Sequence, residues 1–323
     1  MPGWAIALIV ILSILLVIFI SSALIFNYAG KQIVKMLNRC DSGFSDKGMK
    51  RVDISFYKNG PVAPLAEEGV KFLNSLPHED VYITTKEGFK LHAYLYKNPY
   101  KETNKYFLGM HGFRSGPLHE YAPYAKRYFE LGFNVILPDE RAHYKSEGDW
   151  ITMGAKERYD ALDWCNFLVH KFGEDIQILM QGISMGGATV CLASNLNLPK
   201  QVIGIISDCA YSSYKDEIIY TIKGFKMPTW PIVNIMENAV KKKAGITFSG
   251  ETPLEAVKTA KVPMLFIHGE KDQMVPFKFV NELYEACGSK KRLYTVKDAN
   301  HAESGAYDMD KYFEVIKEFF EIK

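Results

Sequence analysis

Residues 177–194 read QILMQGISMGGATVCLAS, and this stretch decides the fold. Gly182-Ile183-Ser184-Met185-Gly186 is a G-x-S-x-G pattern, that of a nucleophile elbow, which requires a strand before it and a helix after it. Both are present. Ile176 to Met180 is a short apolar run suited to a buried strand, and Ala188 to Leu196 is suited to a helix. A serine on so sharp a turn holds strained backbone angles, and a side chain at Gly182 or Gly186 would strike neighbouring backbone. The turn lifts the hydroxyl clear of the sheet. It also aims the first amides of the helix at any oxyanion formed beside it. Glycine and serine are common enough for the pattern to arise by chance, so the rest of the chain has to supply partners.

Strands and helices alternate on both sides of the elbow. Val81–Thr85, Lys86-Glu87-Gly88 and Leu91–Tyr96 form a hairpin with a glycine in its turn. Tyr106–Met110 reads as a strand, Tyr121–Leu131 as a helix, Asn134–Leu137 as a strand and Lys156–Lys171 as a helix. Beyond the elbow, Val202–Ser207 and Val262–His268 are strands, Phe277–Cys287 a helix and Arg292–Val296 the last strand. The closing helix carries Tyr312, Phe313, Val315, Ile316, Phe319 and Phe320 at the 3/4 spacing of a buried face. The alternation predicts an α/β fold: a mostly parallel sheet with helices on both faces and an antiparallel hairpin at one edge. Tyr211 to Lys261 breaks it, being too long for a plain connection. With Phe225, Trp230, Ile232, Ile235 and Met236 it is expected to be a small helical cap.

Length and composition are ordinary for one catalytic domain with an appendage: 323 residues, 48% hydrophobic and 24% charged. A net charge of +2 gives no reason to expect a nucleic-acid partner. The five cysteines follow no zinc spacing and suggest no disulfide framework, and no phosphate-binding glycine loop is seen. No metal and no cofactor is expected.

Residues 4–26, WAIALIVILSILLVIFISSALIF, carry no charge, and none precedes Lys31. They make roughly 34 Å of helix, enough to cross a bilayer. A cleaved signal peptide would have a basic start and a shorter apolar core. The expectation is therefore a retained single-pass transmembrane helix. Lys31, Lys35, Arg39, Lys47, Lys50 and Arg51 all follow the span, which by the positive-inside rule puts the rest of the chain in the cytoplasm. These readings divide the chain into an anchor (1–30), a juxtamembrane connector (31–63) and a catalytic domain (64–323) with its cap at 211–261. The anchor is expected to stay outside the active site, so that a chain starting near Leu65 keeps its activity. Trp230 and Ile235 of the cap are expected either to line an acyl pocket or to pack the cap onto the domain.

A serine nucleophile needs a base, and the base an orienting acid. His301 lies just after the last strand, and Asp272 just after the one before. The order Ser184, Asp272, His301 is the hydrolase order. Asp208, also at a strand end, is the competing acid. Two backbone donors are needed for the oxyanion. Met185 N–H is one, and Phe113 N–H, in the loop HGFRSG after the first parallel strand, is the other. His111 and His268 are expected to support their loops.

With these residues the chain resembles the serine α/β-hydrolase superfamily, most closely its membrane-anchored bacterial Bem46-like and serine-aminopeptidase-like members. The resemblance covers residues 64–323 and rests on HGFRSG, LPDERAHYKSEG, GISMGG, SDCAYSS, VPMLFIHGEKDQMVPF and ANHAE. It implies an α/β-hydrolase fold, Ser184, Asp272 and His301 as the triad, and Phe113 and Met185 as oxyanion donors. One loop departs from the pattern. The family's D-x-R-G-H-G-x-S is here Asp139-Glu140-Arg141-Ala142-His143-Tyr144-Lys145-Ser146, so two glycines are lost and a different loop shape is expected. The expected activity is hydrolysis of an ester-like bond in a small or lipid-like acyl substrate. A peptidase, an acyl-thioesterase and a non-catalytic scaffold are the alternatives.

Overall fold

The computed structural model describes residues 1–41 and 60–322. Its sheet has eight strands: β1 (Glu79–Thr84), β2 (Lys90–Tyr96), β3 (Lys105–Met110), β4 (Phe133–Pro138), β5 (Gln177–Ile183), β6 (Val202–Asp208), β7 (Met264–Gly269) and β8 (Lys291–Val296). They lie in the order β1-β2-β4-β3-β5-β6-β7-β8. β3 to β8 are parallel, while β1 and β2 pair antiparallel with each other and β2 with β4. The helices are α1 (Gly3–Lys35), α2 (Val62–Asn74), α3 (Pro117–Glu130), α4 (Glu157–Phe172), α5 (Met185–Ala193), α6 (Tyr214–Gly224), α7 (Thr229–Ala244), α8 (Pro253–Val257), α9 (Lys278–Ala286), α10 (Ser304–Tyr307) and α11 (Met309–Phe319). This is an α/β-hydrolase fold.

Successive side chains of a strand point to opposite faces, so a strand covered on both sides must be apolar at every position. β5 and β7 meet that demand. Ile178, Met180, Met264 and Phe266 join one core with α4, α5 and α9. Leu179, Ile183, Leu265 and Ile267 join the other with α3 and α11. β8 closes one edge, half-buried and with Lys291 and Arg292 at its start, a charged edge that discourages pairing with a further strand.

The anchor differs from the expectation. α1 runs on to Lys35, past residue 30, and its C-terminal part is not a free tether. Val34 and Leu37 are buried in a third apolar cluster with Ile218 and Ile222 of α6 and Ile232, Val233, Met236 and Val240 of α7. Residues 36–40 then act as a strap across the 139–151 loop. Cys40 N–H donates to Ala142 O at 2.8 Å, Tyr144 N–H to Cys40 O at 3.0 Å, and Ile151 N–H to Leu37 O at 2.7 Å. The Arg39 guanidinium donates to the carbonyls of Tyr144 and Ser146. The connector expected at 31–63 is therefore part of the folded domain as far as Cys40; residues 42–59 of it lie outside the described residues. Apolar burial explains why: α7 has more apolar surface than α6 covers, and Val34 and Leu37 complete the cluster. Fully burying two such side chains stabilises by about 3–6 kcal/mol. A chain that begins at Leu65 is expected to melt several degrees below one that begins at Lys31, read by thermal denaturation. Equal melting temperatures would mean that the strap adds nothing to stability.

The strap also accounts for the loop that lacks its glycines. Ala142 and Tyr144 occupy positive φ, 59° and 42°. The left-handed backbone is thus retained with side chains in place, at about 1–2 kcal/mol per residue. Cys40 bonds to the backbone of both, which holds them there.

Candidate active site

β5 ends at Ile183, and α5 begins at Met185, one residue after Ser184. Ser184 is forced to φ 58°, ψ −116°, a conformation few residues other than glycine adopt. The neighbours explain why glycine flanks it. A Cβ on Gly182 would sit 1.9 Å from Gly186 O, and a Cβ on Gly186 1.9 Å from Met110 O. Ser184 keeps some exposure while its surroundings are buried.

Ser184, His301 and Asp272 form one hydrogen-bonded chain. His301 Nε2 is 2.9 Å from Ser184 Oγ, and His301 Nδ1 is 2.8 Å from Asp272 Oδ2. Asp272 is held from several sides. Its Oδ1 accepts the Met274 and Val275 amides at 2.9 and 2.8 Å, an Asx turn, and its Oδ2 lies 3.2 Å from His268 Nε2. Burial alone would raise the Asp272 pKa. The charge of His301 and the hydrogen bonds from His268 and His301 outweigh it and hold the carboxyl well below the usual range. Burial likewise opposes charge on His301, yet the carboxylate of Asp272 raises its pKa well above the ordinary 6.5. Asp208, the competing acid, faces elsewhere: its Oδ2 accepts Tyr312 OH at 2.8 Å, and burial pushes it up to about 6.

The other expected groups gather around the serine. Met185 opens α5, and Phe113 packs against it. Gly112, just before Phe113, is so close to the elbow that a Cβ on it would lie 3.4 Å from Ser184 Cβ. His111 is fully buried, with Nε2 accepting Glu140 N–H at 3.0 Å and Nδ1 donating to Gly112 O at 2.9 Å. Burial lowers its pKa to about 4, so it is a neutral loop support. His268 does more than support its own loop, because it touches Asp272.

Sequence reasoning missed three residues of this site. Glu120, on the first turn of α3, accepts Gly112 N–H at 2.6 Å and anchors the loop that carries Phe113. Burial lifts it to about 7. Nothing marks it in the sequence, since an acid on a first helical turn is ordinary. Cys209, at φ 45°, directly follows β6, and its sulfur, Asp272 and His301 offer ligand atoms within 4.8 Å of one another. Burial keeps this thiol protonated, with its pKa pushed up to about 11, and a protonated thiol is a poor metal ligand. Glu217 of α6 lies close enough to feel both His301 and Asp272, with Oε2 buried and unpartnered.

The insertion between β6 and β7 places α6 beside the triad: Tyr220 OH donates to the carbonyl of Gln273, next to Asp272, at 3.3 Å. Trp230 and Ile235 do not line this space. Trp230 is 75% exposed, and Ile235 packs on Gly30 of α1. Pocket lining is corrected for both: Ile235 takes the packing alternative and Trp230 neither, because α7 spends its inner faces on α1 and α6.

Together, sheet and elbow define a serine hydrolase of the α/β-hydrolase fold. A model of the X-Pro dipeptidyl-peptidase (S15) family matches residues 78–247, more than half of the chain, and a serine hydrolase (FSH1) model matches residues 226–301. Ser184 falls in the first segment, Asp272 and His301 in the second. Protein bem46 of Schizosaccharomyces pombe is 25% identical over 249 residues, 76% of this chain and 77% of its own. The uncharacterized protein YqkD of Bacillus subtilis is 27% identical over 199 residues, 61% of this chain and 65% of its own length. Among solved structures, an esterase of Pyrococcus furiosus superposes with a TM-score of 0.61 at 26% identity, over 76% of this chain and 93% of its own. An acylaminoacyl peptidase of Pyrococcus horikoshii gives 0.57 at 19%, covering 79% of this chain and 43% of its own, a likeness of fold. The chain belongs to the α/β-hydrolase family of serine hydrolases that these models describe, in its Bem46-like group.

Proposed function

We propose that this protein hydrolyses an ester-like acyl bond through an acyl-enzyme on Ser184, from a single-pass position in a membrane. The observation that carries the reading is the chain Ser184 Oγ–His301 Nε2–Asp272 Oδ2, at 2.9 and 2.8 Å. His301 takes the serine proton as Oγ attacks the carbonyl, and Asp272 fixes the imidazole tautomer and steadies its positive charge. The Phe113 and Met185 amides hold the oxyanion. The proton then goes to the leaving group, and water repeats the sequence on the acyl-enzyme. The apolar part of α1, Gly3–Gln32, fits a single-pass anchor, 30 residues long and exposed to its surroundings. The basic residues after it favour a catalytic domain on the cytoplasmic side.

Labelling of the full-length protein by a fluorophosphonate probe, lost on competition with substrate, tests the nucleophile and separates enzyme from scaffold. Turnover is then compared across p-nitrophenyl esters, acyl-thioesters and aminoacyl amides. Only neutral imidazole can accept the serine proton, and Asp272 raises the His301 pKa. Thus kcat/KM should rise with pH, with its midpoint above 6.5. A midpoint at or below that value would mean that the Asp272 charge is not felt in solution.

A peptidase is the second reading, favoured by Glu217. Burial pushes this carboxyl up to about 8, and its buried Oε2 has no hydrogen-bond partner of its own, a lack that a substrate amine would fill. Aminoacyl amides turned over faster than esters, with the advantage lost in Glu217→Gln, would move the reading to peptidase.

A further inference from the structure

We infer that the tip of the insertion, Lys223–Trp230, is a second membrane contact that rests on the anionic headgroups of the bilayer crossed by α1. The inference uses the anchor part of the proposed function and needs none of its chemistry.

Direction comes first. A Cβ on Gly30 would lie 2.7 Å from Ile235 Cγ2, so α1 and α7 touch nearly backbone to backbone at that level. Lys243, at the far end of α7, stands over the Trp150 ring at 4.9 Å, and Trp150 is bridged to Asn38. Ile235 is thus opposite residue 30 and Lys243 opposite residue 38. The two helices therefore run parallel, and α7 has its N-terminal end toward the span. Pro231 is four residues before Ile235, about 6 Å along the helix, and Trp230, at φ −94° and ψ 133°, stands outside the regular helix at that end. That puts it beyond the level of Gly30, on the side of Ile25 and Phe26, where the apolar run ends.

Chemistry comes second. The tip reads Lys223-Gly224-Phe225-Lys226-Met227-Pro228-Thr229-Trp230 and contains no acid. Trp230 is 75% exposed and Phe225 49%. Lys223 and Lys226 are also exposed, as are Lys31 and Lys35 on α1. Two aromatic rings bare to solvent, with lysines around them, beside the end of a membrane span, match what the bilayer interface selects. Lysines within a Debye length of an anionic leaflet add attraction to it. The contact also gives exposed Trp230 a role that the interior of the insertion does not. It would hold α6, and with it the triad, close to the lipid surface, so that an acyl chain could reach Ser184 without crossing water.

The test uses the full chain in lipid nanodiscs, with one nitroxide at a time at Phe225→Cys, Trp230→Cys, Ile14→Cys or Tyr100→Cys. The native Cys40, Cys165, Cys191, Cys209 and Cys287 are all buried and out of reach of the label. Tyr100 is exposed in the β2–β3 connection, at the end of the sheet away from Ser184. Collision with oxygen against a water-soluble nickel chelate reports depth. In discs containing phosphatidylglycerol, labels at 14, 225 and 230 should favour oxygen several-fold more than the label at 100. Immersion at 225 and 230 should fall in phosphatidylcholine discs, and also in Lys223→Gln/Lys226→Gln. A Tyr100-like signal at 225 and 230, with Ile14 in lipid, would overturn the contact and leave the anchor standing. Water exposure at Ile14 would remove the anchor and the contact with it. Equal immersion in both lipids would overturn the anionic preference.

Discussion

Replacing Ser184 with alanine is expected to lower kcat by on the order of 10⁴- to 10⁶-fold while the protein remains folded. The expectation follows from the isolation of the group. His301 Nε2 has one hydroxyl to activate, and Ser184 Oγ is 2.9 Å from it. A second substitution separates chemistry from folding. Ser184→Gly should be equally inactive but no less stable than the parent. The backbone at φ 58°, ψ −116° stores strain of order 1–3 kcal/mol, which glycine relieves. Losing the hydrogen bond to His301 gives back about 1 kcal/mol. The checks are single-turnover kinetics with a p-nitrophenyl ester and a thermal melt. An alanine variant that kept more than about a tenth of the parent rate, with its melt unchanged, would place the nucleophile elsewhere.

The elbow was the most legible part of the sequence, because its requirements are local. Two glycines, a serine and the flanking apolar runs can fold in few other ways, and β5 and α5 lie where they point. The parallel sheet followed from alternation for the same reason: β5 and β7 must be apolar at every position once helices cover both faces. Strand order was not legible, since periodicity says nothing about which strands are neighbours. β3, for example, lies between β4 and β5.

The docking of α1 was hidden by its composition. A helix that is apolar all round presents no distinct face, so Phe26, Gly30 and Val34 could not be told from the exposed apolar residues beside them. Trp230 misled for a related reason. A large apolar residue in an insertion reads as pocket lining, whereas Trp230 is left 75% exposed and α1 takes the inner face of α7, which no pattern within the insertion can reveal. Glu120 was invisible because the group it holds, the Gly112 amide, is eight residues away across a turn. Asp208 and Asp272 looked alike in sequence, both at strand ends. What tells them apart is Tyr312, which comes from α11 and engages the Asp208 carboxylate.

That difference makes the second large effect specific. Asp272→Asn is expected to lower kcat/KM by on the order of 10⁴-fold, and Asp208→Asn by less than about 10-fold. At position 272 the amide oxygen can keep the Met274 and Val275 amides, so the Asx turn survives. The amide NH₂ then faces His301 Nδ1. Both groups would present hydrogens unless the imidazole moves its proton to Nε2, and an Nε2–H cannot take the serine proton. Loss of the carboxylate also removes what raises the His301 pKa, so the rise of the residual rate with pH should shift to lower pH. At position 208 the carboxyl already has its pKa pushed up to about 6, with Tyr312 OH donating to it, and an asparagine oxygen accepts that bond equally well. The pH–rate profiles of both variants, measured beside their melting temperatures, distinguish a lost acid from a damaged fold. If Asp208→Asn proves the crippling change and Asp272→Asn the mild one, the acid that orients His301 during turnover is not the one hydrogen-bonded to it at rest.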